Sequence, residues 1–226
     1  MTSPLQIDCK SCAYKSSCIY DVLKGSEKEL LNKGKVVNIY RKGEIIYKEG
    51  SAATSCFFVQ EGALKLSKET LSDKPFFITL RKSGTTIGME SLNNHSNYES
   101  TAQCITDITC CALTSRMIYS LIQKSRAACS FLAFQYNDFI SDLYTHLTIM
   151  STEKANVRIA RSLLTLLEVG KGKLANIRIE DLAAISGTTR ETTSRALSRM
   201  KTNKIISVSN REINILDEQK LKNFIQ

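Results

Sequence analysis

The C-terminal stretch IRIEDLAAISGTTRETTSRALSRMKTNKIISVSNREINIL constrains the fold more than any other part of the chain. Its pattern predicts a short helix over 179–186, a tight turn at Gly187 and a second helix over 189–201. Two small alanines before the glycine permit the close crossing of a helix-turn-helix. The alternating segment that follows has Asn210 and Arg211 in its middle, which is typical of a two-stranded wing. We therefore expect a winged helix-turn-helix.

The second of these helices carries polar and charged side chains on one face near its N-terminal end: Arg190, Glu191, Ser194 and Arg195. Arginine can bond bidentately to guanine, and glutamate can accept a hydrogen bond from cytosine, so these residues are candidate base readers. Thr188 and Thr189 at the helix start suit contacts with phosphate. A solvated charged face is the alternative, and the neighbouring turn and wing argue against it.

The positive charge is concentrated at the C-terminal end. The chain has a formal charge of +9, and residues 153–226 contribute fourteen basic and eight acidic side chains. A surface that meets phosphates needs such an excess. We therefore expect residues 153–226 to form a domain that binds double-stranded DNA.

Short β-rich runs broken by glycine extend from about residue 36 to residue 113: VVNIYRKGEIIYKEG, CFFVQEGALKLSKE, PFFITLRKSGTTIGMESL and STAQCITDITCCAL. Strands of this length with glycines at the turns predict a compact antiparallel roll or barrel over residues 23–125. The turn glycines are Gly43, Gly50, Gly62, Gly84 and Gly88. No phosphate-binding loop and no catalytic constellation is evident, so we expect no enzyme activity.

Residues 126–152 show helical periodicity, with apolar positions alternately three and four residues apart: Ala133, Tyr136, Ile140, Leu143, Leu147 and Met150. These six residues, called the seam below, predict a helix that pairs with a second copy of itself. The alternative is a helix packed on its own domain. No Pro/Gly linker follows the helix, which favours a rigid junction near Thr152.

The N-terminal segment CKSCAYKSSC places Cys9, Cys12 and Cys18 within ten residues. The chain shows no export signal and no apolar segment long enough to cross a membrane, so we expect a soluble cytoplasmic protein. In a reducing compartment, clustered cysteines indicate metal or redox chemistry rather than disulfides. Residues 1–22 are therefore expected to form a cysteine loop with a metal-binding or redox role; the alternative is that the cysteines are small core residues.

The order of roll, long helix and TTRETTSRALSRM resembles the Crp/Fnr family of bacterial transcription regulators. The resemblance implies an α+β chain with a double-stranded β-roll sensor, a dimerisation helix and a winged helix-turn-helix. It also implies a homodimer on palindromic DNA, with RNA polymerase as a further partner if the protein activates transcription. By the same resemblance Glu191 and Arg195 take the shared base-reading roles.

Within that family, Ser194 is typical of the Fnr branch and Arg190 of the Crp branch, so a TTGAT-like and a TGTGA-like half-site both stay open. Thr193 stands where the family usually has an apolar residue. The seam also differs, because Leu143 occupies the place of an acidic residue that helps Fnr to control dimerisation. We therefore expect control by reorientation within a permanent dimer.

Cyclic-AMP sensors of the family hold the nucleotide with a glutamate and an Arg-Ser pair in the roll. The corresponding stretch here, IGMESLNNHSNYESTAQ, has Tyr98, Glu99 and Ser100 where the arginine belongs and contains no basic side chain. A phosphate beside Glu99 would be repelled, so no cyclic nucleotide is expected. His95 and His146 leave haem open.

The spacing of the N-terminal cysteines resembles the loop of Fnr that holds a [4Fe-4S] cluster. The resemblance implies a fourth ligand on a late strand of the roll, where Cys110 matches, with Cys104 as the fallback. Cys111 must point to the opposite face of that strand. Cys56 and Cys129 are expected to be buried fillers. The resemblance to Fnr therefore implies an oxygen-responsive regulator. Sensing of nitric oxide, peroxide or a haem ligand, a structural zinc, and a cluster-bearing redox protein are the alternatives.

Overall fold

The computed structural model describes residues 7–71, 75–93, 96–170, 177–209 and 212–225. The chain divides into two compact units, Met1–Ser141 and Asp142–Gln226. The division falls inside the long helix, whereas the sequence pattern placed a boundary after residue 152.

Among its described residues, the first unit contains a β-roll of eight short strands. They are β1 (Val36–Tyr40), β2 (Ile45–Tyr47), β3 (Ser55–Glu61), β4 (Ala63–Lys68), β5 (Phe76–Lys82), β6 (Thr86–Ile87), β7 (Thr101–Cys104) and β8 (Ile108–Thr114). They form two antiparallel sheets, ordered β1-β8-β3-β6 and β2-β7-β4-β5. Side chains from both sheets share one core, which includes Phe57, Val59, Leu64, Ala102 and Cys110. The predicted roll is confirmed.

The glycines predicted at turns of the roll all have positive φ angles. Gly62, between β3 and β4, shows why a side chain is excluded there. Its φ is +91°, and a Cβ atom would lie 2.1 Å from the carbonyl oxygen of Asp107. A larger residue would therefore clash with the backbone of the loop that precedes β8.

The N-terminal segment covers one face of the first sheet. It contains a 3-10 turn at Lys15–Ser17, α1 at Ile19–Val22 and α2 at Ser26–Gly34. A 3-10 turn at Met89–Leu92 and the helix α3 at Ser115–Lys124 complete the surroundings of the roll. Buried side chains of this segment share a cluster with α3 and with the start of the long helix: Cys9, Ile19, Tyr20, Leu23, Leu31, Ile118, Leu121, Ala128 and Leu132.

The long helix α4 spans Arg126–Thr152. Its first part packs on the roll, because the Tyr136 hydroxyl donates to the Met89 carbonyl at 3.0 Å. The Gln135 side-chain oxygen also accepts from the Thr86 amide at 2.9 Å. These contacts fix one face of α4 within the first unit.

The second unit contains α5 (Ala155–Val169), α6 (Ile179–Ile185), α7 (Arg190–Thr202), β9 (Ile206–Ser209), β10 (Glu212–Ile215) and α8 (Glu218–Asn223). The α6-turn-α7 arrangement confirms the predicted helix-turn-helix, and β9 pairs antiparallel with β10 as a wing requires. Asn210 and Arg211, expected at the tip of the wing, lie outside the described residues.

The turn between α6 and α7 is held by Arg158, which sequence reasoning did not single out. Its Nε donates to the Ser186 carbonyl at 2.9 Å and its Nη2 to the Gly187 carbonyl at 2.9 Å. Its Nη1 donates to the Glu153 carbonyl at 2.8 Å. One guanidinium on α5 therefore joins the helix-turn-helix to the residues that follow α4.

We predict that Arg158→Met destabilises the second unit by about 2 kcal/mol, because several charge-assisted hydrogen bonds are lost together. Amide hydrogen exchange should become faster in α6 and α7 while β4 and β5 keep their protection. Arg199→Met, an exposed position on α7, is the matched control. Unchanged exchange in α6 and α7 would show that Arg158 does not hold the turn.

Candidate functional sites: a nucleic-acid interface and a thiol cavity

The structure brings the four predicted base readers together at the N-terminal end of α7. Arg190, Glu191, Ser194 and Arg195 are exposed and line a cleft of about 340 Å³, together with Ile179. These four side chains are called the reading face below. Arginine and glutamate offer the donor and acceptor groups that distinguish base pairs in a major groove.

The hydroxyls at the start of α7 serve the turn itself. Thr189 caps the helix, since its hydroxyl accepts from the Thr192 amide at 3.2 Å. Thr188 lies in a chain of hydroxyls, 3.1 Å from that of Ser186 and 2.8 Å from that of Thr193. Thr193 is fully buried and also donates to the Thr189 carbonyl at 3.0 Å. The hydroxyl of Thr193, at a position where the family usually has an apolar residue, is therefore hydrogen-bonded within the turn.

The two arginines of the reading face differ in their surroundings. Arg190 Nε lies 2.8 Å from Glu180 Oε1, a carboxylate in the first turn of α6. Arg195 forms no ion pair with any residue that the structure describes. The two candidate base readers therefore differ in that Arg190 is engaged by a carboxylate of α6.

A second candidate site is a small cavity between the N-terminal segment and the outer face of the first sheet. This cavity is called the thiol cavity below. The residues that line it include Cys9, Cys12, Cys18, Lys35, Phe58, Gln60 and Cys111. The three loop cysteines predicted as ligands thus converge on one place. They meet a fourth cysteine from β8.

That fourth cysteine is Cys111, and the expectation that Cys110 faces the loop is wrong. In β8, Cys111 lies opposite Val37 of β1 and Phe58 of β3, which pack against Tyr14 and Cys18 of the N-terminal segment. Cys110 is fully buried on the other face, in the core of the roll.

The fallback, Cys104, lies in the same core as Cys110 and is also buried away from the loop. Of the two expected fillers, Cys56 is buried, whereas Cys129 on α4 is exposed, contrary to expectation. Cys111 is therefore the roll cysteine that shares a cavity with the loop thiols.

Polar side chains hold the loop against the sheet. The Asn32 side-chain oxygen accepts from the Cys9 amide at 3.0 Å and from the Lys35 ammonium at 2.6 Å. The Gln60 side-chain amide donates to Cys12 Sγ at 3.3 Å. The thiol cavity is therefore lined by two lysines, Lys15 and Lys35, and by an amide donor directed at Cys12 Sγ.

Burial favours the protonated form of three thiols of the cavity, those of Cys9, Cys18 and Cys111. It raises the pKa of Cys18 to about 11 and that of Cys111 to about 12. Burial also raises the pKa of Cys9, and the positive charge of Lys35 opposes this shift. Because metals bind the thiolate form, metal binding at this cavity must release protons.

The four thiols are suitable ligands for a thiolate-bound metal, but in this structure they do not lie close enough together to coordinate one. Among the described residues, no three His, Cys, Asp or Glu side chains lie close enough to hold a metal ion. The thiol cavity has a volume of about 30 Å³, which is room for one or two water molecules. Four thiolates suit an iron-sulfur cluster or zinc, so binding requires the loop thiols to move toward one another and Cys111.

The roll also encloses a cavity of about 280 Å³, lined by Tyr47, Arg81, Glu90, Glu99 and Tyr136 among others. Arg81 is 1% exposed, and its guanidinium lies 5.1 Å from the ring centre of Phe139 on α4. It comes from β5, which precedes the stretch IGMESLNNHSNYESTAQ. The cavity therefore contains a cationic side chain that the stretch IGMESLNNHSNYESTAQ lacks, although the Arg-Ser pair itself is missing.

The seam residues do not all behave alike. Ala133, Ile140 and Leu147 are exposed, and Leu143 is half-buried. Tyr136 contacts the roll, and the Met150 sulfur would lie 2.5 Å from a Cβ placed on Gly187, so both side chains are used within the chain. Phe134 and Tyr144, which the heptad count missed, are 74% and 67% exposed.

The remaining predictions concern histidines and membranes. His146 is half-buried, and burial together with the Arg158 charge lowers its pKa; His95 lies outside the described residues. Within the described part of the chain, no helix is long and apolar enough to span a bilayer.

Comparison with known proteins agrees with this architecture. Residues 37–125 match the model of the cyclic nucleotide-binding domain, and residues 157–224 match that of the Crp-like helix-turn-helix domain. The cyclic AMP receptor protein of Thermus thermophilus is 28% identical over 185 residues, covering 80% of this chain and 86% of its own. The transcriptional activator protein anr of Pseudomonas aeruginosa is 24% identical over 228 residues, covering 96% and 91%.

The fold has a counterpart in the crystal structure of a protein from Eubacterium rectale, described as a transcriptional regulator of the Crp/Fnr family. It superposes with a TM-score of 0.78 over 92% of this chain and 97% of that one, at 18% identity. A β-roll, a long helix and a Crp-like helix-turn-helix define a DNA-binding transcription regulator. The chain belongs to the Crp/Fnr family.

Proposed function

We propose that this regulator responds to oxygen through a [4Fe-4S] cluster held by Cys9, Cys12, Cys18 and Cys111. The observation that carries the proposal is the convergence of three loop thiols and one strand thiol on a single cavity. A bound cluster would supply an oxygen-labile centre whose thiolate bonds tie the loop to the sheet. Lys35 would place a positive charge beside these thiolates.

The effect of ligation on the rest of the first unit follows from packing. Cys9 and Ile19 share a buried cluster with Ala128 and Leu132 of α4. Tying the loop to Cys111 orders one side of that cluster, and releasing the loop loosens it. The loop is thereby coupled to the start of the long helix, and a ligand shifts the protein only through such a difference between states.

The second part of the proposal concerns assembly and DNA. The exposed apolar side chains of α4, including Phe134, Ile140, Tyr144 and Leu147, support pairing of two copies of this helix. A homodimer would present two reading faces to the half-sites of a palindrome, about one DNA turn apart. Such a protein acts in the cytoplasm.

A single zinc ion bound by the same four thiols is the second candidate. The observation that favours zinc is the small volume of the thiol cavity, about 30 Å³. The surrounding thiols would have to move less to bind one ion than to bind a cluster. In that case the loop would be a fixed structural element, and the sensed signal would lie elsewhere.

We predict that Cys111→Ser abolishes the brown, oxygen-bleachable absorbance of anaerobically purified protein, because the fourth thiolate is lost. Cys110→Ser is the matched control, since Cys110 faces the core of the roll, and this variant should keep about four irons per chain. The absorption spectrum and the iron and zinc contents provide the measurement. Colourless wild-type protein with one zinc per chain would support a structural zinc site instead of a cluster. Loss of the absorbance in Cys110→Ser but not in Cys111→Ser would make Cys110 the fourth ligand.

For the reading face, we predict that Arg195→Ala weakens binding to a specific palindrome by about 1–3 kcal/mol, because a bidentate contact to guanine is lost. Binding to random-sequence DNA should weaken much less. Lys201→Ala, an exposed basic position near the end of α7, is the control for loss of charge alone. Fluorescence anisotropy at one fixed salt concentration provides the affinities. Equal losses on specific and random DNA would make Arg195 a phosphate contact.

A further inference from the structure

Glu180 is a carboxylate that contacts the reading face. It lies in the first turn of α6, and its Oε1 is 2.8 Å from Nε of Arg190 on the reading face. Both side chains are more than half exposed, at 57% and 66%. The pair therefore sits on the surface that a duplex would approach.

The contact sets up a competition for Arg190. A guanine reads arginine through two adjacent N–H donors, and a carboxylate accepts from the same planar group. To reach a base edge, Arg190 must therefore leave Glu180 or share its donors with it. Arg195 has no ion-pair partner among the described residues and meets no such competitor.

The expected strength of the competition is modest. Exposed ion pairs contribute little in water, because solvent screens them and side-chain entropy opposes them. DNA can therefore displace Glu180, but part of the gain from the new contact is lost in doing so. Such a small difference suffices to change which base is preferred at one position without preventing binding.

We propose that Glu180 is a specificity-determining residue that competes with guanine for Arg190 and thereby lowers the contribution of Arg190 to base reading. The inference rests on the proposed role of the reading face. Competition from Glu180 would allow α7 to carry Arg190 and yet recognise bases mainly through Glu191, Ser194 and Arg195.

The experiment is binding-site selection from a library of palindromic duplexes with randomised half-sites, using anaerobically prepared full-length protein. Glu180→Gln removes the charge and keeps the size of the side chain. Asp181→Asn is the matched control, because it removes the same charge from the same turn, where Asp181 Oδ2 contacts Arg178 Nε at 2.9 Å. Arg190→Ala and the Glu180→Gln/Arg190→Ala double variant complete the cycle.

The expected result is that Glu180→Gln increases the preference for guanine at one half-site position by about two- to fivefold, whereas Asp181→Asn leaves the preference unchanged. In the Arg190→Ala background, Glu180→Gln should have no effect on that position. The same guanine dependence should appear when individual duplexes are titrated at fixed salt.

Three outcomes would overturn the proposal. Glu180→Gln and Asp181→Asn could raise affinity equally on all sequences, which would make Glu180 a general charge effect. Glu180→Gln could reduce the guanine preference, which would make the carboxylate a support for Arg190. An effect that persists in the Arg190→Ala background would place its origin elsewhere. A wild-type protein that enriches no sequence would instead refute the reading face itself, and the inference with it.

Discussion

Burial of β8 on both faces is the constraint on which the sensor unit depends. One face of this strand supplies Cys110 to the core of the roll, and the other presents Cys111 to the N-terminal segment. The strand pairs with β1 on one side and β3 on the other, so its register is fixed by two ladders. A one-residue slip would exchange the two cysteines, and the pairing therefore decides which thiol meets the loop.

In the second unit, the corresponding constraint is the set of hydrogen bonds from Arg158. Four carbonyls accept from this one side chain: those of Met150 and Glu153 on one segment and those of Ser186 and Gly187 at the turn. This turn also sets where α7 begins, since Thr189 caps the helix and the buried Thr193 packs beneath the turn. The positions of Arg190 and Arg195 on the reading face follow from this frame.

Much of the architecture could be predicted because local patterns and packing agree. The turn glycines, the helix-turn-helix and the long helix all have short-range signals, and the structure shows each of them. The choice between Cys110 and Cys111 could not be predicted in the same way. Alternation places them on opposite faces, but both faces of β8 are buried, so hydrophobicity does not show which face meets the loop.

Other features could not be predicted from the sequence because they depend on contacts between distant segments. Arg81 lines the roll cavity from β5, which precedes the stretch IGMESLNNHSNYESTAQ. Glu180 contacts Arg190 across the turn between α6 and α7. The heptad count missed Phe134 and Tyr144 because it assumed a single narrow seam, whereas Tyr136 and Met150 are partly occupied by contacts within the chain. Such pairings have no signature in spacing along the sequence.

The central claim is that the state of the four thiols governs DNA binding. It is tested most directly by measuring the affinity of anaerobic full-length protein for one specific palindrome before and after exposure to air. The account predicts that air weakens wild-type binding at least about tenfold, to the level of Cys111→Ser, whose own affinity should not respond to air. Equal wild-type affinity before and after exposure, with the absorbance bleached, would contradict it.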